Sequence, residues 1–295
     1  EPFGDSASFP VYLLSRFARR QVKVVLTGDG GDELFCGYRR YLADDAIHRA
    51  QRFLKWFPCK LLNRAISQLP RMRRLKRVAS SMSIADPARR YPHWLIYFSK
   101  DMLGEMYKEG ISNDLGDYDP SSGYSNYYHQ LRNTTACDHL NRLMYVDLKT
   151  LLVDGYLEKT DKATMAVGLE ARLPFLDPRL VELAFQIPGS DKISGFKTKY
   201  LLKEALKSLL PAEVLAKPKH GFAVPIDAWF RGALKAFAFE VLMDRRTKQR
   251  GIFNHDLVEV MWREHVDGKH VWDTQLWLLL NLELWQRLYL DREAI

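Results

Sequence analysis

Residues 22–41, from Val22 to Tyr41, read VKVVLTGDGGDELFCGYRRY. The first part, with Val22, Val24, Val25 and Leu26, is apolar and β-branched, as a buried strand requires. Thr27-Gly28-Asp29-Gly30-Gly31 breaks it, and Asp32 and Glu33 follow at once. Leu34, Phe35, Tyr38 and Tyr41 then recur at helical spacing. Strand, glycine-rich turn and helix in that order frame a nucleotide site at the carboxyl end of a parallel sheet. The glycines permit positive φ and close approach of a ligand to the backbone. Asp29, Asp32 and Glu33 crowd three carboxylates together, and these repel unless a cation or a basic group joins them. A divalent metal bridging phosphate oxygens is one such cation. An isolated GDGG also makes a plain turn, and an acidic helix start also satisfies the helix dipole, so the turn by itself leaves both readings open.

The chain has 295 residues, enough for one large domain or two smaller ones. At 47% hydrophobic it can bury a sizeable core, which excludes global disorder. The net charge of +8, from 44 basic and 36 acidic residues, favours anionic partners. The charge is spread evenly, and a basic enzyme handling a polyphosphate fits it without nucleic acid. Cys36, Cys59 and Cys137 are far apart and odd in number, which points to a reducing, cytoplasmic setting. The apolar runs are too short to span a bilayer, so no membrane role is expected. The start at Glu1, with no methionine, reads as the middle of a longer protein.

Outward from the turn, Pro10 to Arg20 reads as an amphipathic helix with proline in its first turn. Asp44 to Trp56 continues helically, and Pro58 and Pro70 punctuate the next stretch. Arg71 to Arg77 (RMRRLKR) is read as a solvated helix face, since no aromatic interleaving or nucleic-acid motif accompanies it. Tyr91, His93, Trp94, Tyr97 and Phe98 form an aromatic cluster that reads as core. Ser112 to Ser125 is rich in Gly, Asp, Pro and Ser and is read as a linker or subdomain joint. It divides a portion at 1–111, holding the turn, from a helical portion at 126–295.

Asp138 to Met165 has a helical apolar pattern, interrupted at Asp154-Gly155-Tyr156. Lys159 and Asp161 cannot share one face of a regular helix, so one of them should point inward to a ligand or a partner charge. A short helix is expected from about Pro178 to Phe185. Lys197 and Lys199 precede a helix at Tyr200 to Leu210, where basic residues oppose the macrodipole unless an anion is bound. Lys217 to Phe222 repeats lysines beside glycine in a loop. The tail from Lys235 to Leu290 reads as helical, with Trp262, Trp272, Trp277 and Trp285 as packing residues and His255, His265 and His270 as structural or exposed. The pattern contains one convincing strand among many helices. A lone strand makes no sheet, so its partners are expected upstream of Glu1 or on another chain.

Four motifs in register, TGDGGDELFCGY, EKTDKATMAVGLEARLPFLD, KTKYLLKEAL and KPKHGFAVP, resemble the synthetase domain of glutamine-dependent asparagine synthetases. The opening EPFGDSASFPVYLLSRFAR fits the same family, and the likeness covers most of residues 1–230. It implies an α/β fold of the ATP-pyrophosphatase type (Rossmann-like, adenine nucleotide alpha hydrolase-like), here as a predominantly α-helical C-terminal part with few strands. It implies ATP-dependent amide formation: aspartate is adenylated, and ammonia from glutamine displaces AMP. ATP and Mg²⁺ are the implied cofactors, the substrates are small molecules, and a homodimer is among the assemblies it allows. The glutaminase domain and the SGGxDS ATP loop of such enzymes are absent, so this chain alone is expected to be inactive.

The resemblance also carries site residues. Thr27 and Gly28 stand where a serine and a glycine touch ATP. Asp29 stands in place of a glutamate tied to the adenylate and ammonia, one methylene shorter. Asp32 matches an acid linked to Mg²⁺ and pyrophosphate, and Lys199 a lysine that stabilises charge on the α-phosphate. Lys159 and Asp161, with Gly30 and Gly31, belong to the part that closes over the acceptor. Cys36 replaces a usual glycine. Asp29, Asp32 and Lys199 are expected to converge on one pocket. An amidotransferase or cyclase acting on another carboxylate, for example in surface polysaccharide, and a non-catalytic helical module share these motifs and stay open.

Overall fold

A computed structural model of the chain describes residues 2–53, 73–116, 118–131, 138–217, 221–222 and 224–292, without the side chains of 52, 53 and 73–77. Cys59, Cys137, the segment between Pro58 and Pro70, the side chains of the basic run 71–77 and residues 218–220 of the loop at 217–222 therefore lie outside the described residues. The chain forms two compact units, each discontinuous in sequence. One comprises Glu1–Leu13, Tyr97–Asp119 and Phe222–Ile295, and the other Leu14–Ile96 and Pro120–Gly221. These units differ from the division expected at 112–125, although the change of unit after Asp119 falls inside that stretch. Much of the stretch is helical rather than linker, belonging to helices at Glu109–Leu115 and Ser122–Gln130.

The elements near the turn follow from local sequence. Helix α1 (Ser8–Ala18) takes Pro10 in its first turn, where a missing N–H costs nothing. Strand β1 (Val24–Leu26) follows, then α2 (Gly31–Leu34) and α3 (Arg39–Phe53). Helix α4 (Ser122–Gln130) leads to α5 (His139–Lys149), whose N-cap Asp138 accepts from the Asn141 N–H at 2.9 Å. The interruption expected at 154–156 is a π-helical segment, Leu151–Leu157, which passes directly into α6 (Glu158–Met165). Strand β2 (Glu170–Arg172), α7 (Pro178–Gln186) and α8 (Tyr200–Ala205) complete the surroundings of the turn.

The expectation that β1 finds its partner outside the chain is corrected. β1 pairs in parallel with β2, Val24 opposite Glu170 and Leu26 opposite Arg172. Glu and Ala are poor strand formers, so β2 exists through its ladder to β1 rather than through propensity. The ladder continues past both ends, with Glu170 N–H to Lys23 C=O at 2.9 Å and Thr27 N–H to Arg172 C=O at 2.9 Å. The last bond fixes where the strand ends and the turn begins.

Beneath the turn, Leu34, Phe35 and Ala184 are buried with Phe175, Leu180 and Val181 packed around them. Burying a leucine or phenylalanine contributes about 1.5–3 kcal/mol each, so α2 is held by packing rather than by its one turn of helix. A neighbouring cluster joins Cys36, Tyr41, Tyr91, Leu143 and Met144. The aromatic run thus divides: Tyr91 is in this core, whereas Tyr97 is largely exposed.

The other unit has its own helical core. Helices α9 (Ile226–Arg231), α10 (Lys235–Met243), α11 (His255–Val266) and α12 (Asp273–Tyr289) bury Phe230, Leu242, Met261, Trp262, Leu276 and Trp277. Trp277 Nε1–H donates to the Gly4 carbonyl at 2.8 Å. His265 is buried and accepts from the Trp272 N–H at 3.1 Å. Among the described residues no helix is long and apolar enough to cross a membrane.

Candidate active site

The turn after β1 uses its glycines for different reasons. Gly30 lies at φ 89°, and a Cβ there would come within 2.4 Å of Leu176 Cδ2. Only glycine meets both conditions without cost. Gly31 starts α2 against the Phe175 ring, and Gly28 faces open space. Gly37 is the tightest of all. A Cβ at that position would sit 1.7 Å from Asp32 Oδ1 and 2.6 Å from Lys199 Cε.

The three carboxylates meet different groups of the chain. Asp29 Oδ2 accepts from the hydroxyls of Thr27 (2.9 Å) and Thr160 (3.0 Å). Asp32 Oδ1 lies 3.1 Å from Lys199 Nζ, with both side chains partly exposed. Glu33 is buried and accepts from the Tyr38 hydroxyl at 2.7 Å. Burial raises the Glu33 carboxyl above its ordinary range, opposed by the Tyr38 hydrogen bond. Successive helical residues point about 100° apart, so Asp32 and Glu33 leave α2 in different directions. The mutual repulsion expected from sequence is thus relieved by separate partners.

Lys199 reaches Asp32 from a backbone that costs energy. It sits at φ 54° in the left-handed region immediately before α8. A non-glycine residue there costs about 1–2 kcal/mol, and such strain concentrates at functional sites. The bend lays the lysine stem across Gly37, which leaves room for it.

On α6, Lys159 and Asp161 separate as their spacing requires. Lys159 is buried, with Nζ 4.7 Å from the Tyr156 ring centre, while Asp161 is exposed. Between them Thr160 turns inward to Asp29. Sequence reasoning passed over this threonine, and its signal is its place between a buried and an exposed charge. Tyr156 in turn lies 6.3 Å from the Tyr38 ring, which carries the Arg40 guanidinium 3.8 Å above its centre.

Arg40 leads to a second polar centre that the sequence patterns did not single out. Asp147 Oδ2 takes hydrogen bonds of 2.6 Å from each of Arg40 Nη2, Tyr41 OH and Tyr91 OH. Asp147 is fully buried, so the interactions tie α3 to α5 behind the turn. The available signal was YRRY at 38–41, which places hydroxyls and a guanidinium on both sides of one helix start.

Cys36 has φ 55° and follows α2 at the position usually given to glycine, with the Gly37 N–H bonded to the Asp32 carbonyl at 2.8 Å. Burial pushes its thiol up to about 12, so it cannot act as a nucleophile in the folded chain. Among the described residues no three His, Cys, Asp or Glu side chains cluster to hold a metal. Asp32 alone is a donor set suited to a metal that arrives on a nucleotide, since Mg²⁺ is typically held by one or two carboxylates plus phosphates and waters.

A family model described as asparagine synthase matches residues 1–287. A Mycobacterium tuberculosis protein named "Putative asparagine synthetase (glutamine-hydrolyzing)" is 32% identical over 301 residues, covering 100% of this chain and 44% of that protein. Asparagine synthetase (glutamine-hydrolyzing) 1 of Bacillus subtilis is 27% identical over 294 residues, covering 99% and 44%. Asparagine synthetase B of Escherichia coli is 32% identical over 90 residues, covering 30% and 16%. The chain spans less than half the length of the first two relatives.

Proposed function

This chain belongs to the asparagine synthase family, and from that premise we propose that its turn, Thr160 and Lys199 form one wall of a carboxylate-adenylating site. The full protein would use ATP to convert aspartate to asparagine, with glutamine as the ammonia source, as a carbon–nitrogen ligase. β1 and β2 would belong to a Rossmann-like sheet of the ATP-pyrophosphatase type. The observation that carries the reading is the ion pair of Lys199 with Asp32, 3.1 Å apart at the mouth of a glycine turn.

The chemistry asks for these groups. An aspartate carboxylate oxygen attacks the α-phosphorus, and pyrophosphate leaves with the bonding pair. Negative charge grows on phosphate oxygens, and a fixed ammonium such as Lys199 offsets it, usually the largest catalytic contribution. Thr27 and Gly28 would meet ATP. Asp32 would hold Mg²⁺, which supplies charge neutralisation on the leaving pyrophosphate when bound. Ammonia then attacks the acyl carbon, AMP leaves, and one proton must be removed from nitrogen. Asp29, whose Oδ2 accepts from two hydroxyls, would be the carboxylate that takes it. Lys159 and Asp161, with Gly30 and Gly31, would form the acceptor side of the wall.

The test is aspartate-dependent exchange of labelled pyrophosphate into ATP by the full-length protein. Lys199→Ala should lower the exchange rate about 100-fold, the usual loss for one charge-stabilising group. Absence of aspartate-dependent exchange in the parent, or unchanged exchange in the variant, would sink the reading.

A further inference from the structure

The segment Leu151–Leu157 is π-helical and feeds straight into α6. A π turn closes from residue i to i+5, so it takes in about one residue more than an α turn. That residue decides which side chain of α6 meets the glycine turn. Helical neighbours point about 100° apart, so a slip of one residue would present Lys159 or Asp161 to Asp29 in place of Thr160. In the structure the buried Thr160 donates its hydroxyl to Asp29 Oδ2 at 3.0 Å. π-helical geometry is rare and collects at functional sites, and tertiary contacts must hold it against the α register.

Such a contact runs from the turn itself. Glu33 is buried and accepts from the Tyr38 hydroxyl at 2.7 Å. The Tyr38 hydroxyl is also hydrogen-bonded to that of Tyr156, which lies within the π-helical segment. Tyr38 spends its one proton on Glu33, so Tyr156 supplies the proton of the second bond. The two rings lie 6.3 Å apart and tilted by 36°. Tyr38 is held in place from its other neighbours: the Arg40 guanidinium sits 3.8 Å from its ring centre, and Arg40 is bound in turn by the fully buried Asp147 at 2.6 Å. Tyr156 also lies under the Lys159 ammonium, 4.7 Å from its ring centre.

We propose that Glu33, Tyr38 and Tyr156 are positioning residues for the amide-forming step. They hold the π-helical segment in register, so that Thr160 faces Asp29 and keeps that carboxylate in place to take the proton. None of the three is asked to touch a reacting atom, and each acts through Thr160. Glu33, the third carboxylate of the turn, thereby serves the geometry of the wall rather than metal or phosphate. The catalytic consequence rests on the adenylation reading above, whereas the register itself does not.

Three readouts of the full-length protein test this. They are the Thr160 methyl signal in NMR, assigned through Thr160→Val, aspartate-dependent pyrophosphate exchange, and asparagine formation with ammonium supplied directly. Tyr156→Phe and Tyr38→Phe each remove one hydroxyl and keep the ring. Each should shift the methyl signal and lower asparagine formation about five- to tenfold, with exchange within about threefold of the parent. Glu33→Gln keeps an acceptor for Tyr38 and should stay near the parent in all three, whereas Glu33→Leu should behave like the tyrosine variants. Adding Tyr156→Phe to Thr160→Val should cost nothing further, because the tyrosine acts through that threonine. Additive losses in the double variant, an unchanged ratio of asparagine formation to exchange in both folded tyrosine variants, or an unmoved methyl signal would overturn the proposal. A methyl signal that moves in a protein without aspartate-dependent exchange would leave the register assignment standing and sink the adenylation reading alone.

Discussion

Gly37→Ala tests the centre of the proposed site without replacing either of its charged groups. The new Cβ would lie 1.7 Å from Asp32 Oδ1 and 2.6 Å from Lys199 Cε, so the carboxylate oxygen must retreat by about 1.7 Å to reach ordinary contact at 3.4 Å. Gly37 has no positive φ, so alanine fits the backbone and gains about 0.4–1 kcal/mol by restricting the unfolded chain. Against this stand overpacking, near the lower end of about 1–3 kcal/mol because flexible side-chain ends move, and a partly exposed ion pair worth about 0.2–1 kcal/mol. The net destabilisation is about 1 kcal/mol. Activity should suffer far more, because a misplacement of about 1 Å in a positioned group can cost about 100-fold. The assay is aspartate-dependent pyrophosphate exchange by the full-length protein beside urea unfolding of the same variant. Exchange within about threefold of the parent would refute the assignment of Asp32 and Lys199 to the reaction. A stability loss above about 3 kcal/mol would show that Gly37 serves the fold rather than the pair.

Thr160→Val keeps the shape of the side chain and removes one of the two hydroxyls on Asp29; exchange should persist while amide formation falls about tenfold, with stability lowered by about 1 kcal/mol. Asp44, whose folded value of about 2 lies below its ordinary 3.8, contributes stability above about pH 4 that is lost as pH falls toward 2. Urea unfolding followed across that window should show a loss on the order of 2 kcal/mol that Asp44→Asn abolishes. Asp44→Ala should cost about 3–5 kcal/mol at neutral pH, since it leaves the fully buried Arg90 without its carboxylate. Cys36 should resist a thiol-specific reagent at pH 8 in the folded chain and react on unfolding, given its burial and its thiol near 12.

Short-range chemistry was legible in the residues alone. A β-branched run bounded by GDGG specifies a strand and a turn, and Pro178 a helix start. Two-residue spacing already required Lys159 and Asp161 to diverge on α6, although it could not say which would turn inward. Four motifs together were enough to place the family. Tertiary structure decided the features that depend on distant partners. Glu170-Ala171-Arg172 becomes a strand only because β1 offers it a ladder, so the sheet partner could not be read from propensity. Thr160 finds Asp29, and Asp147 gathers Arg40, Tyr41 and Tyr91, across gaps that carry no periodic signal. The acidic turn called for a cation or a basic group to offset its crowding, and packing decides what each carboxylate meets: Lys199 for Asp32, two threonines for Asp29 and a tyrosine for Glu33. Local sequence sets which backbone shapes are allowed; which charge faces which is settled by packing, because only the folded chain brings those groups within a few ångströms.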